Sequence, residues 1–121
     1  MASGYSHVAL IGNLGKNPNM IEGGKGQLRA SFTLAVDRMS AEGGEERRAT
    51  TDWFSIVAWG RVAETCRDLL TKGSWVFIAG RLQVQRWQDE KGDRHNIFEI
   101  VAQQVILLDG PEAGAEGQEP S

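Results

Sequence analysis

Three tryptophans have the residue type and the spacing to bind flat ligands. Trp53 and Trp59 lie in the run 51–60, and Trp87 lies near the end of another apolar run. In an extended chain alternate residues share a face, so Trp53 and Trp59 project from one side, about 20 Å apart at roughly 3.3 Å per residue. A core would normally pack its large aromatics together. Indoles spaced along one face with Ser55 between them indicate a platform on which flat groups stack in series.

Basic residues accompany these tryptophans along the chain. Binding of a single-stranded nucleic acid without sequence preference needs aromatic surfaces for the bases and cations for the phosphates. Stacking contributes roughly 1–3 kcal/mol per base, and phosphate contacts make the affinity fall with salt. The cations beside or between the tryptophans are Arg29, Arg61, Arg81 and Arg86, and Lys72 is among those that can line the loops. From pattern alone, an outward tryptophan in a small β-protein is equally consistent with a subunit contact.

Size and charge leave a nucleic-acid partner open. The chain has 121 residues and a net charge of −3, which fits one domain with a core of its own. Residues 109–121 contain four acidic residues and no Lys or Arg, so residues 1–108 hold 13 basic and 12 acidic residues. We therefore predict a folded domain over 1–108 and a short acidic disordered tail over 109–121.

The sequence lacks the residue groups that catalysis or metal binding requires. It has no paired carboxylates on a common face, no nucleophile with an evident base and no phosphate-binding glycine motif of known spacing. His7 and His95 stand outside any Cys or His cluster. We expect a protein that is not an enzyme and that uses no cofactor and no metal.

Cysteine content and hydropathy bear on the compartment. Cys66 is the single cysteine, which excludes an intrachain disulfide and favours a reducing environment. No apolar run approaches the roughly 18–20 residues that span a membrane, and the first residues do not resemble a signal peptide. The expected location is the cytoplasm, without a membrane partner.

Period-two patterns predict five strands. They cover residues 7–14, 27–37, 51–60, 74–87 and 96–108. In the second, Leu28, Ala30, Phe32, Leu34 and Val36 face inward. In the third, Val57 shares the tryptophan face and Ile56 the buried face. In the fourth, Val76, Ile78, Leu82 and Val84 are predicted inward and Arg81, Gln83, Gln85 and Trp87 outward, with Trp75 and Phe77 favoured as a subunit contact.

One helix and two exposed loops complete the organisation. Residues 61–72 carry an apolar stripe at helical spacing that includes Cys66, and Gly73 supplies a stop. Residues 39–50 and 88–94 have the composition of hairpin loops. Three strands, a helix and two strands form the element order of an OB-fold, an all-β, five-stranded Greek-key barrel whose ligand face lies mainly on strands two and three.

Short motifs along the chain resemble bacterial single-stranded DNA-binding proteins. Residues 8–15 with Asn17–Pro18 match the first-strand signature of that family. The other matching motifs are residues 32–36, 51–54, 57–63, 72–73 and 80–82, and Trp87 before a hairpin that contains glycine. The likeness covers about residues 5–108. It implies an OB-fold, usually a homotetramer, that coats single-stranded DNA in replication, recombination and repair.

The resemblance also carries expectations for single residues. Trp53, Trp59 and Trp87 match the base-stacking aromatics of the family, and Arg61, Lys72 and Arg86 match positions usually basic along the DNA path. The sequence departs from the family where Met39 or Ser40 replaces a further stacking tryptophan, where Ser55, Gln83 and Gln85 stand for arginines of better-known members, and where His7 replaces a frequent lysine.

The tail differs most from the family pattern. Family members usually end in acidic residues with a bulky apolar pair that docks partner enzymes, whereas this chain ends in Glu119-Pro120-Ser121. Either the chain is a truncated or specialised member of the family, or it recruits replication and repair proteins in another way. Two alternatives remain open: a primosome-type accessory protein that acts mainly through protein partners, and an OB-fold RNA binder.

Overall fold

The computed structural model describes residues 3–40, 48–109 and 116–118, with seven strands and one helix. The elements are β1 (Val8–Leu14), β2 (Asn19–Glu22), β3 (Leu28–Ser40), β4 (Arg48–Trp59), α1 (Gly60–Leu69), β5 (Trp75–Gln88), β6 (Arg94–Leu107) and β7 (Glu116–Gln118). The five predicted strands correspond to β1, β3, β4, β5 and β6. Strand β2 and strand β7 were not predicted.

The sheet closes into a barrel. Its order is β1-β5-β6-β4-β3-β2, and an additional β1–β3 pairing joins the two sides. All pairings are antiparallel except that of β4 with β6, which matches Ile56 with Ile100 and Val57 with Val101. Closure removes most open strand edges, which is how small β-proteins satisfy their backbone groups. The predicted OB-fold, with a helix between the third and fourth predicted strands, is confirmed.

Inward-facing side chains of the barrel and one face of α1 form the core. Ala30, Phe32 and Leu34 of β3 are buried as their alternation predicted, and Leu28 and Val36 pack against them while partly exposed. From α1 the core receives Val62, Ala63 and Cys66. The helix thus plugs the barrel with the stripe that its sequence predicted.

The helix ends earlier than predicted. It stops at Leu69, where residues up to Lys72 were expected, and Arg67 is the basic residue of its last turn. A turn replaces the last predicted helical turn, because the N–H of Thr71 donates to Ser74 Oγ and the N–H of Ser74 donates to the Thr71 carbonyl. This turn directs the chain into β5.

The outer half of β5 corrects a second prediction. Leu82 and Val84 were predicted inward, yet they are 42% and 38% exposed. The β5–β6 register shifts between Ala79 and Gly80, and a Cβ at Gly80 would collide with the Val101 carbonyl oxygen. Beyond this point the two strands leave the barrel as a hairpin. Leu82 and Val84 still lie on the same side of β5 as the buried residues. In the described part of the chain nothing covers that side of the hairpin, so they are exposed.

The predicted loops and tail have different outcomes. Residues 89–93 form the tight end of the β5–β6 hairpin, as predicted, with Gly92 at a φ of 84°. The other predicted hairpin joins β3 and β4, which pair from Arg29 to Ser40, but residues 41–47 lie outside the described residues. In the tail, Glu116–Gln118 pairs with β6, while residues 110–115 and 119–121 lie outside the description. The division at residue 108 stays a prediction.

Candidate nucleic-acid interface

The three predicted platform tryptophans all lie on the outer face of the sheet and are solvent-accessible. Trp53 is 62% exposed, Trp59 41% and Trp87 48%. The β3–β4 register places Ala35 opposite Trp53 and Arg29 opposite Trp59. Because the sheet order is β5-β6-β4-β3, Trp87 reaches the same outer surface through the hairpin. Exposure of large indoles is the condition that stacking requires.

Trp53 is supported by the β1–β2 connection. A Cβ added at Gly15 would lie 2.6 Å from Trp53 Cζ3 and 2.7 Å from Thr33 Oγ1, so only glycine fits there. The Gly15 N–H also donates to the Thr33 carbonyl at 3.0 Å. The backbone therefore passes directly against the indole and restrains it, while most of its surface stays exposed.

Trp59 carries a cation on its ring. The guanidinium carbon of Arg29 lies 5.6 Å from the indole centroid, within the range of a cation–π contact. Arg29 Nη2 also lies 3.6 Å from Glu99 Oε2, and Gln85 Nε2 donates to Glu99 Oε1 at 2.9 Å. Trp59 thus sits at one end of a polar chain that crosses β3, β6 and β5.

Trp87 has an aromatic neighbour. The His95 ring lies 4.4 Å from it, centroid to centroid, at an interplanar angle of 22°. His95 Nε2 is 2.9 Å from Asp89 Oδ2, and Asp89 Oδ1 accepts the backbone N–H groups of Lys91 and Asp93. The hydrogen bonds from His95 and from the Asp93 backbone lower the pKa of the Asp89 carboxyl below its usual value. The hairpin turn therefore holds the imidazole against the indole.

Two open hollows flank the Trp59–Arg29 pair. The first has a volume of about 410 Å³, and Trp59, Arg81, Gln27 and Gln103 are among its lining residues. The second, of about 320 Å³, is lined by hydroxyl residues on the outer face of β3 and β4, by the β1–β2 connection and by the start of β2. These residues are Ser31, Thr33, Ser55, Lys16, Asn17 and Asn19, with Arg29 and Glu99. Trp59 borders the first hollow and Arg29 the second, so the pair forms the wall between them.

The predicted cations are distributed unevenly around these hollows. Arg81 lines the first hollow, and Arg61 is exposed in the first turn of α1, two residues after Trp59. Lys72 is exposed at the barrel end, where its N–H donates to Asn17 Oδ1 at 2.7 Å. Arg86 pairs with Asn96, so strand alternation directs its side chain to the face opposite Trp87. The structure gathers Arg29, Arg61 and Arg81 near Trp59, places Lys72 beside the second hollow, and separates Arg86 from Trp87.

Several residues of this surface were not among the predicted site residues. Val57 lies on the predicted tryptophan face but is buried, beside Val101, where β4 and β6 pair. Gly15 and His95 lie against Trp53 and Trp87, and Glu99 contacts Arg29, which lies over Trp59. Gly15 and Glu99 meet residues that are distant in sequence, whereas His95 faces Trp87 across the β5–β6 hairpin. Strand alternation in the sequence puts Glu99 on the same face of β6 as His95. It does not show that Glu99 meets Arg29, because that contact depends on the register of the sheet.

The described residues hold no feature that suggests other chemistry. No group of three or more His, Cys, Asp or Glu residues lies within reach of a common metal ion in the described ranges. Burial raises the pKa of the Cys66 thiol to about 12, which keeps it protonated and unreactive. Within the described residues no helix has the length and apolar character needed to cross a membrane.

Several known proteins resemble this chain in sequence and in fold. The model of the single-strand binding protein family matches residues 5–108. The single-stranded DNA-binding protein 1 of Chlorobaculum tepidum is 39% identical over 94% of this chain and 71% of its own length. The single-stranded DNA-binding protein of Thermotoga maritima is 36% identical over 87% of this chain and 74% of its own length. A solved structure, the Plasmodium falciparum SSB complex with ssDNA, superposes with a TM-score of 0.75 at 25% identity, covering 84% of this chain and 89% of that one.

Proposed function

The chain belongs to the single-strand binding protein family, and we propose that it binds single-stranded DNA with little sequence preference. The observation that carries the proposal is the set of three outward indoles, each restrained by a neighbour and 41–62% exposed. Bases stack on Trp53, Trp59 and Trp87, because every base has a flat face that an indole accepts. Such stacking keeps strands unpaired and protected.

Arginines and lysines provide the second component of the proposed site. Arg61 and Arg81 flank Trp59 and hold phosphates, and Lys72 extends the path toward the β1–β2 connection. Arg29 contributes once it is released from Glu99, and Arg86 contributes from the rear face of the hairpin. Each phosphate held releases counterions from the strand, so affinity falls as salt rises, with a slope of about −0.7 per contact for single strands.

We also propose a homo-oligomer, with four subunits as the expected number. Trp75 and Ile11 are 46% and 50% exposed on the outer face of β5 and β1, where Phe77 pairs with Ile11. The exposed inner side of the hairpin adds Leu82, Val84 and Phe98. A second copy of the chain covers these apolar surfaces and leaves the platform tryptophans free. The proposed setting is replication, recombination and repair in the cytoplasm, on the exposed strands of the nucleoid.

Titration of tryptophan fluorescence with oligo(dT) at low and high salt tests the proposal. We expect strong quenching that salt weakens. Trp53→Ala should cost roughly 1–3 kcal/mol of binding free energy, as for the loss of one stacking surface. Trp75→Ala is the matched control, since with an oligonucleotide short enough to contact one protomer it should leave affinity unchanged.

The same titration separates the alternatives. If Trp53 and Trp59 can both be replaced by alanine without loss of affinity, the proposed platform is wrong. If rU oligomers bind more tightly than dT oligomers, the protein is an RNA binder. If neither binds, a role through protein partners replaces the proposal.

A further inference from the structure

One carboxylate lies inside the proposed DNA path. Glu99 is on the outer face of β6, paired with Gln83 of β5, and it lines the hollow bounded by Ser31, Thr33 and Ser55. Its side chain is only 15% exposed. A negative charge in a groove for a polyanion opposes binding, and a carboxylate this enclosed needs partners that compensate its lost hydration.

Both oxygens of Glu99 have a partner. Oε2 lies 3.6 Å from Arg29 Nη2, and Oε1 accepts a hydrogen bond of 2.9 Å from Gln85 Nε2. The guanidinium of Arg29 in turn lies over Trp59. Glu99 therefore pairs with the arginine that lies over the Trp59 ring, at the wall between the two hollows.

A carboxylate and a phosphate bind a guanidinium in the same way. Both offer two oxygens to the planar fork of an arginine, so one replaces the other without moving the arginine. The Arg29–Glu99 separation of 3.6 Å exceeds the roughly 2.7–2.9 Å of a tight charge-assisted hydrogen bond. The Gln85–Glu99 bond is the shorter of the two, which leaves the contact with Arg29 as the one that a phosphate displaces.

We propose that Glu99 is an intramolecular competitor of DNA phosphate for Arg29, an inference that rests on the proposed function. In the free protein the carboxylate neutralises Arg29. On binding, a phosphate displaces Glu99 from the guanidinium, and Glu99 keeps its bond to Gln85. As the strand leaves, Glu99 recaptures Arg29. The exchange lowers affinity and accelerates dissociation, which suits a protein that must give up its strand.

Glu99→Gln tests the proposal in oligo(dT) titrations at several salt concentrations. The amide keeps the shape of the side chain and removes its charge. We expect affinity at low salt to rise about 3–10-fold and dissociation to slow by a similar factor. The slope of log affinity against log salt should change little, because Arg29 contacts a phosphate in the complex of either protein. Asp68→Asn is the matched control: it likewise frees an arginine, Arg67 at 2.9 Å, but on α1, and it should change affinity less than about twofold.

A double-mutant cycle separates competition from general repulsion. With Arg29→Gln already in place, Glu99→Gln should give little or no gain, because no guanidinium remains to be released. A gain that persists without Arg29 would overturn the proposal in favour of repulsion alone. A loss of affinity in Glu99→Gln would overturn it in favour of a carboxylate that only positions Arg29.

Two further measurements keep the outcome interpretable. Thermal unfolding checks that each variant folds. If Glu99→Gln does not, Glu99→Asp retracts the charge from Arg29 by one methylene and should give a smaller gain, whereas an unchanged affinity contradicts the proposal. A wild-type protein that fails to bind oligo(dT) refutes the proposed function, whereas binding with no response to Glu99→Gln refutes only the competition.

Discussion

Strands β5 and β6 form one antiparallel ladder whose two halves have different surroundings. Up to Gly80 the ladder is part of the barrel, and Val76 and Ile78 are fully buried on its inner side. Beyond Gly80 it becomes a hairpin, and the same side exposes Leu82 and Val84. The alternation is the same in both halves. Alternation therefore determines which side of the strand a residue faces, but that side is buried only where another layer of the structure covers it.

The barrel wall and the hairpin also hold their tryptophans by different means. On the barrel wall, Trp59 is backed by Arg29, a charge that Glu99 contacts. On the hairpin, Trp87 is backed by the ring of His95, which the turn residue Asp89 holds. We therefore expect ligand binding at Trp59 to respond to charge and salt, and ligand binding at Trp87 to respond to the geometry of the hairpin turn.

The largest difference that we expect between the barrel and the hairpin is in how much an alanine substitution lowers stability. Ile78→Ala should lower the free energy of unfolding by about 2–5 kcal/mol, because it leaves a cavity in a closed core. Leu82→Ala, on the same side of the same strand, should cost less than about 1 kcal/mol, since its side chain is already exposed. Urea unfolding at one protein concentration measures both. Equal costs would mean that the hairpin is packed as tightly as the barrel.

The stability of the barrel core should depend on pH in the alkaline range. Burial of the inner face of α1 in the barrel core raises the pKa of Cys66 to about 12. Above about pH 9 the unfolded chain loses the thiol proton while the native chain keeps it, so stability falls as pH rises, by at most about 1.4 kcal/mol per pH unit. Cys66→Ala should have a shallower decline between pH 9 and 11 in the same unfolding assay. An identical slope in both proteins would contradict a sealed thiol.

The stability of the hairpin turn should instead depend on pH in the acid range. Hydrogen bonds lower the pKa of Asp89, so its contribution is present above its usual pKa of 3.8 and is lost as pH falls below it. The amide signals of Lys91 and Asp93 should report loosening of the turn in acid, while those of the barrel stay unchanged. Asp89→Asn should remove this response.

The smallest effect that we expect is on the affinity for oligo(dT), through the contact between Trp87 and His95. His95→Ala should lower affinity for oligo(dT) by about 0.5–1.5 kcal/mol, the usual contribution of an aromatic pair, because Trp87 loses the ring that orients it. His95→Phe keeps a ring and should restore most of the affinity. Asn96→Ala, on the opposite face, is the control in the same quenching titration. If the Phe and Ala variants bind equally weakly, the contact with Asp89 matters and the ring does not.

Much of the fold and part of the site could be predicted from local patterns. Period-two alternation placed Trp53 and Trp59 outward and Leu34 and Ile56 inward, and helical spacing placed Cys66 in the core. These predictions succeed because the face of a residue follows from neighbours within a few positions. The end of α1 was misplaced because a turn between Thr71 and Ser74 competes with the last helical turn.

Contacts between distant strands could not be predicted in the same way. Arg29 and Glu99 are 70 positions apart and meet only because β3, β4 and β6 are neighbours in the sheet. Leu82 shows a related limit, since its parity was right and its burial was not. A pattern in one strand does not say which strand lies beside it or whether a layer covers it.

Sequence patterns alone were enough to predict the order of the five long strands and the helix, the inner and outer faces of those strands, and the residue types that stack and carry charge, because all of these are local properties of the chain. Three features required the tertiary structure: the β5–β6 hairpin leaves the barrel at Gly80, His95 and Arg29 lie against two of the tryptophans, and Glu99 pairs with Arg29. Those outcomes depend on register and closure, which only the packed sheet sets.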